Sequence, residues 1–164
     1  MISRMPTSSG YTLLELVLVL AIIATALASV APSLSGFVKG RKTDEAAMQF
    51  VALTHWARSQ AVSDGTSYQI NLDTQAGKWW ISVEEGDSFT DVTGPFGRVY
   101  TVGEGVQLET DIPVIDGRRV ITFDAYGHSD VGVVRFLGNK SEIEVACDAP
   151  VDEFHVVKPA EVRQ

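Results

Sequence analysis

Glu15 is the only charge in the 21 residues of 11–31, YTLLELVLVLAIIATALASVA. A carboxylate in hydrocarbon costs on the order of 2.5 to 3.5 kcal/mol on insertion scales, so such a residue asks for a partner. One answer is local: Glu15 falls within the first turn of a helix, where the positive dipole end and nearby headgroups tolerate an acid. The other is a cation on a partner, which would make Glu15 a functional residue.

Elsewhere the residue types that carry chemistry do not assemble into a reactive set. The histidines His55, His128 and His155 are scattered and lack metal-ligand spacing. His128, Ser129 and Asp130 are consecutive, but a triad needs spatial convergence and an oxyanion site, so a polar turn before a strand is the better account. Glu84, Glu85, Asp87 and Asp91 crowd a stretch of about fourteen residues, 84–97. Calcium accepts such oxygens, yet the spacing matches no EF-hand, and a solvated acidic loop serving as a contact surface is the simpler reading. Cys147 is the only cysteine, which forbids an internal disulfide; its alternating place in EIEVAC predicts a buried thiol. Arg118, Arg119, Arg135 and Lys140 are the candidate phosphate contacts. They are flanked by Asp116, Asp124, Glu142 and Glu144 on a chain of net charge -8, so no nucleic acid is expected. No catalytic residue, metal or cofactor is expected, and the chain is not read as an enzyme.

These residues hang on two kinds of element. A helix over 11–31 is about 30 Å long and matches the apolar thickness of a bilayer. Pro32 is expected to kink it without ending it. In 32–63 the residues Ala46, Phe50, Leu53, Ala57 and Ala61 recur at steps of three and four, a stripe that should dock on a globular domain. Residues 33–45, with Gly36 and Gly40, have no stripe and would lie exposed or against neighbouring subunits. Asp64-Gly65 marks the stop. Beyond it, alternation predicts strands over 67–73, 78–84, 98–102, 106–110, 119–124, 131–137, 142–147 and 153–157. Turns are expected at 73–77, 103–105, 115–117, 126–127 and 138–140. The fold class is therefore α+β: a long N-terminal helix, one half transmembrane and one half amphipathic, packed on a C-terminal antiparallel β-sandwich, with the stripe against one of its sheets.

A short polar leader containing Arg4 and ending in Gly10, the aromatic Tyr11, Glu15 four residues on, and an unbroken apolar run resemble the processing site of type IV pilins and type II secretion pseudopilins. The resemblance implies a leader of 1–10 cut by prepilin peptidase between Gly10 and Tyr11, and methylation of the Tyr11 nitrogen. It also implies an assembly role for Glu15 as the acid that neutralises an amino-terminal charge. The family usually has Phe where this chain has Tyr11. The cut creates the cation that a carboxylate in lipid needs. Positive residues flank the span on both sides, Arg4 before it and Lys39, Arg41 and Lys42 after it. Orientation is therefore implied by the resemblance alone: amino terminus cytoplasmic, residues 64–164 a periplasmic β-rich domain. An ordinary signal peptide fits less well, because the apolar run is too long and the nearest small-x-small site, Ala26-Leu27-Ala28, lies inside it.

Downstream, ARSQAVSDGTSYQINLD, KWWISV, ITFDAYGHSD, VGVVRFLG and EIEV look like the H-type minor pseudopilins and the related FimT-like minor pilins. For that branch the resemblance implies an inner-membrane protein that joins a short periplasmic filament, at its tip, and supports filament initiation and export of folded proteins. The implied partners are other minor and major pseudopilins, prepilin peptidase, membrane lipid, secreted cargo and the outer-membrane secretin. The alternative is a FimT-like minor pilin of a type IV pilus, engaged in pilus assembly or DNA uptake.

Overall fold

The computed structural model describes residues 12–115, 117–139 and 141–157, without the side chains of 28–40. The chain divides into two compact units, 1–37 and 38–164. One helix, α1 (Leu13–Asp64), is followed by nine strands: β1 (Tyr68–Asp73), β2 (Lys78–Glu85), β3 (Ser88–Asp91), β4 (Tyr100–Thr101), β5 (Gln107–Thr110), β6 (Arg119–Phe123), β7 (Gly132–Leu137), β8 (Glu142–Cys147) and β9 (His155–Val157). The helix assignment runs through Pro32.

Within the second unit the expected stripe is the buried face of α1. Ala46, Phe50, Leu53, Ala57 and Ala61 are all 5% exposed or less. The alanines allow close approach to the strands, while Phe50 and Leu53 supply the volume. The helix stops where Gly65 takes φ 66°, and the Thr66 N–H returns to the Ala61 carbonyl at 3.3 Å, a six-to-one closure that satisfies an otherwise orphaned acceptor.

The strands form two antiparallel sheets. The first has the order β3-β2-β1-β6, with β4 also paired to β2; the second runs β5-β7-β8-β9. Ile70 is opposite both Ile81 and Ile121, and all three are fully buried, so the period-two pattern fixes which face turns inward. Phe50 meets Trp79 of the first sheet at 6.1 Å and 77°, and Phe136 of the second at 5.8 Å. It also lies edge-on to Phe154, at 6.2 Å. The helix thus packs on both sheets, where the sequence allotted its stripe to one; the bulk of Phe50 spans the seam.

A second difference lies in the acidic stretch. Expected as a loop over 84–97, it begins as a hairpin: Glu84 and Glu85 end β2, Gly86 turns with φ 64°, and β3 pairs back with Glu85 opposite Ser88 and Ser82 opposite Asp91. All four β3 residues are exposed, so the strand carries no burial pattern for alternation to reveal. In the loop that follows, Phe96 stacks on Trp56 of α1 at 4.9 Å and 15°.

Where helix gives way to sheet, the Tyr68 hydroxyl donates to Asp64 at 2.7 Å. Burial and this bond to a carboxylate push Tyr68 from 10.0 up to about 12. The folded state therefore favours the neutral phenol, a contribution that is complete below pH 10 and lost as pH climbs toward 12. Tyr68→Phe should flatten the alkaline limb of a denaturation-midpoint curve across that window.

Candidate functional site

The start of α1 is built by Thr12. Its hydroxyl accepts the Glu15 N–H at 3.2 Å and its carbonyl accepts the Leu16 N–H at 3.2 Å, so Thr12 is the N-cap and Glu15 the third helical residue. Thr12-x-x-Glu15 is the capping-box pattern, in which the acid faces back toward the amino-terminal end. Glu15 is exposed and lies four positions after Tyr11. Gly10 and Tyr11 themselves lie outside the described residues. Beyond Glu15 the exposed apolar side chains point all round the helix, among them Leu16, Val17, Leu18, Leu20 and Ile23. A helix that is greasy on every side must be covered by something. Among the described residues no helix is long and apolar enough to cross a membrane; the expected span of 11–31 begins and ends outside the described side chains.

In the second unit the polar residues singled out from the sequence serve the scaffold. Asp124 accepts the N–H groups of Tyr126 and His128, both at 2.9 Å, and meets His128 Nδ1 at 3.0 Å. The bonds from His128 and Tyr126 hold its carboxyl below the ordinary range. His128 is thereby turned to Asp124, while buried Ser129 lies 3.5 Å from the buried Cys147 sulfur. The turn itself lies at 125–127; His128, Ser129 and Asp130, expected as a polar turn, return from it toward β7, with Ser129 bridged to Phe123 and the Asp130 N–H on the Thr122 carbonyl at 3.1 Å. His55 meets the Phe154 carbonyl at 3.1 Å. Among the described residues no group of three acidic, histidine or cysteine side chains is placed to hold a metal ion.

The basic residues are spoken for in part. Arg135 pairs with Glu144 at 2.7 Å, and Arg119 donates to the Ile112 carbonyl. Lys140 and Asp116 lie outside the described residues. Arg58, which the sequence did not single out, is a three-way fastener. Nε donates to the Gly127 carbonyl at 2.6 Å, Nη1 to Asp152 at 2.6 Å and Nη2 to Pro150 at 2.9 Å. The planar guanidinium ties α1 to two separate turns at once. No sequence signal marks it, because its partners are backbone carbonyls some 69 to 94 residues away. Arg58→Ala should cost about 2 kcal/mol, read as a fall in urea midpoint, and Arg58→Lys should recover less than half of it.

Comparison with known proteins adds to this geometry. The family model for type II transport protein GspH matches residues 46–148, from the stripe of α1 past β8. The chain belongs to that family. A second model, the prokaryotic N-terminal methylation motif, matches residues 5–31 of this GspH-family chain, a window that contains Gly10, Tyr11, Thr12 and Glu15. A type II secretion system protein H of Xanthomonas campestris pv. campestris is 34% identical over 70 residues, which cover 43% of this chain and 41% of that protein. The minor pseudopilin EpsH of the Vibrio cholerae type 2 secretion system has the same fold, with a TM-score of 0.63 over 73% of this chain and 99% of that one at 12% identity. The type IV minor pilin FimU of Pseudomonas aeruginosa is more distant in shape. Its TM-score is 0.55, at 16% identity over 74% of this chain and 92% of that one. The fold of the GspH-family chain is thus the pilin-like fold of minor pseudopilins.

Proposed function

We propose that this chain is a minor pseudopilin of a type II secretion system: a structural subunit anchored in the inner membrane that joins a periplasmic filament supporting export of folded proteins. The observation that carries the reading is the succession, in one chain, of a methylation motif over 5–31 and a GspH match over 46–148. In this reading residues 1–10 are removed, Tyr11 becomes the methylated amino terminus, and 11–31 sits in lipid with the carboxyl-terminal domain in the periplasm. The new ammonium is, in this reading, the cation with which Glu15 pairs. In a filament the exposed apolar residues of α1 pass from lipid to neighbouring subunits. Other pseudopilins, prepilin peptidase, cargo and the secretin are the partners this implies.

The mass and first residue of protein isolated from membranes test the reading. A chain beginning with methylated Tyr11 supports it; one that still begins with Met1 overturns it. Glu15→Leu should leave cleavage and insertion intact and cut crosslinking to partner pseudopilins about tenfold, equivalent to roughly 1.4 kcal/mol of lost pairing. Unchanged crosslinking would remove the pairing role from Glu15.

The likeness to FimU favours a second reading, a minor pilin of a type IV pilus. DNA binding by the chain in a gel shift at physiological salt would select it. The engagement of Arg135 and Arg119 by protein groups argues against that outcome.

A further inference from the structure

The face of the first sheet turned away from the core is not flat. It holds a cleft of about 810 Å³ lined by Asn71 of β1, Trp80 and Ser82 of β2, Phe89 and Asp91 of β3, and Arg118 at the rim. Three features mark it as built for a ligand.

Asn71 and Ser82 are only 5% and 2% exposed, though they lie on the outer face. Asn71 Nδ2 donates to Ser82 Oγ at 2.8 Å, and no described residue donates to the other amide atom, Oδ1. Asn71 Oδ1 is not among the buried atoms without a partner, so it opens to solvent in the cleft, and a ligand that covers it must supply a donor or lose about 1 to 3 kcal/mol. Half-buried Trp80 donates its indole N–H to Asp91 at 3.0 Å, which fixes the ring as a platform and leaves the second Asp91 oxygen open. Arg118 is exposed; its main chain pairs with Ile115 at 2.8 and 3.0 Å, and its side chain makes no bond to a described residue.

We infer that this cleft binds a saccharide, specifically a chain of N-acetylated amino sugars. The C–H face of a pyranose ring suits the fixed indole, as an apolar surface on an aromatic one. Its hydroxyls both donate and accept, matching Asp91 and Arg118 together. The acetamido N–H is the donor that Asn71 Oδ1 lacks. An apolar side chain of a protein partner would leave that acceptor empty. An acidic peptide would meet Asp73 and Asp91 beside Arg118 in the same lining, with no excess of positive charge. The assignment goes beyond the filament role and does not rest on it: retention of Met1 would not touch the cleft, and failure to bind sugar would not touch the processing site.

The test is a titration of the full chain, in a detergent without a sugar headgroup, with tetra-N-acetylchitotetraose, followed through the indole N–H resonances. Trp80→Phe identifies the Trp80 resonance by its disappearance. The Trp80 signal should shift saturably with a Kd of about 0.1 to 1 mM, while those of Trp56 and Trp79 stay in place. Arg118→Ala, which breaks no side-chain bond to a described residue, should weaken that Kd about threefold to tenfold. Absence of a saturable shift below about 10 mM overturns the proposal. An equal response to maltotetraose, which has no acetamido group, also overturns it, as does a response to a short acidic peptide in place of the sugar.

Discussion

Phe50→Ala is expected to destabilise the carboxyl-terminal unit by about 3 to 5 kcal/mol, the upper range for truncating a core aromatic. Phe50 is fully buried and its ring contacts Trp79, Phe136 and Phe154. Those residues come from the first sheet, the second sheet and the segment before β9, so the ring is a shared contact of three parts of the fold. None of the three can collapse into the vacated space without leaving the others. The control is Met48→Ala on the same helix, at a side chain 68% exposed, which should stay within about 0.5 kcal/mol of the parent. Urea midpoints of the two variants measure the difference. A Phe50→Ala cost near that of Met48→Ala would mean that the sheets hold each other without the helix.

The other large effect concerns processing. On the proposed reading, Gly10→Leu should leave the precursor uncut, with Met1 retained and no methyl group on Tyr11, because the processing motif that the amino-terminal segment resembles has its cut directly after a glycine. The loss should be nearly complete, and Gly10→Ala should fall between the two. Mass spectrometry of membrane-extracted protein reads all three states. Normal trimming of Gly10→Leu would remove the ground for Tyr11 as the mature amino terminus.

Where burial was periodic, the chain declared its fold. The stripe from Ala46 to Ala61 and the alternation at Ile70, Ile81 and Ile121 were legible because one side of each element meets the core and the other does not. The buried thiol of Cys147 followed from the same rule. Strand β3 escaped because none of its residues is buried, and the expected strand over 98–102 narrows to Tyr100–Thr101, where only Tyr100 faces inward. The capping pair Thr12 and Glu15 was not singled out from the sequence, although it needs only residues three apart. Arg58 and the Asn71 cleft were not, for a different reason. Both depend on strand order and on turns distant in the chain, which bring together groups that local spacing cannot relate. The Trp56 and Phe96 stack belongs with them, as it joins the helix to a loop forty residues later.

The Arg58 fastener has one further consequence. Its three acceptors are main-chain oxygens, so the grip is indifferent to which side chains the two turns carry. Exposed positions such as Tyr126 and Val151 can therefore change their side chains while Asp124 and Gly127 keep the shape of the first turn and its position on the helix stays locked. A subunit whose outer tips must suit changing neighbours gains a way to alter its lettering without loosening its frame.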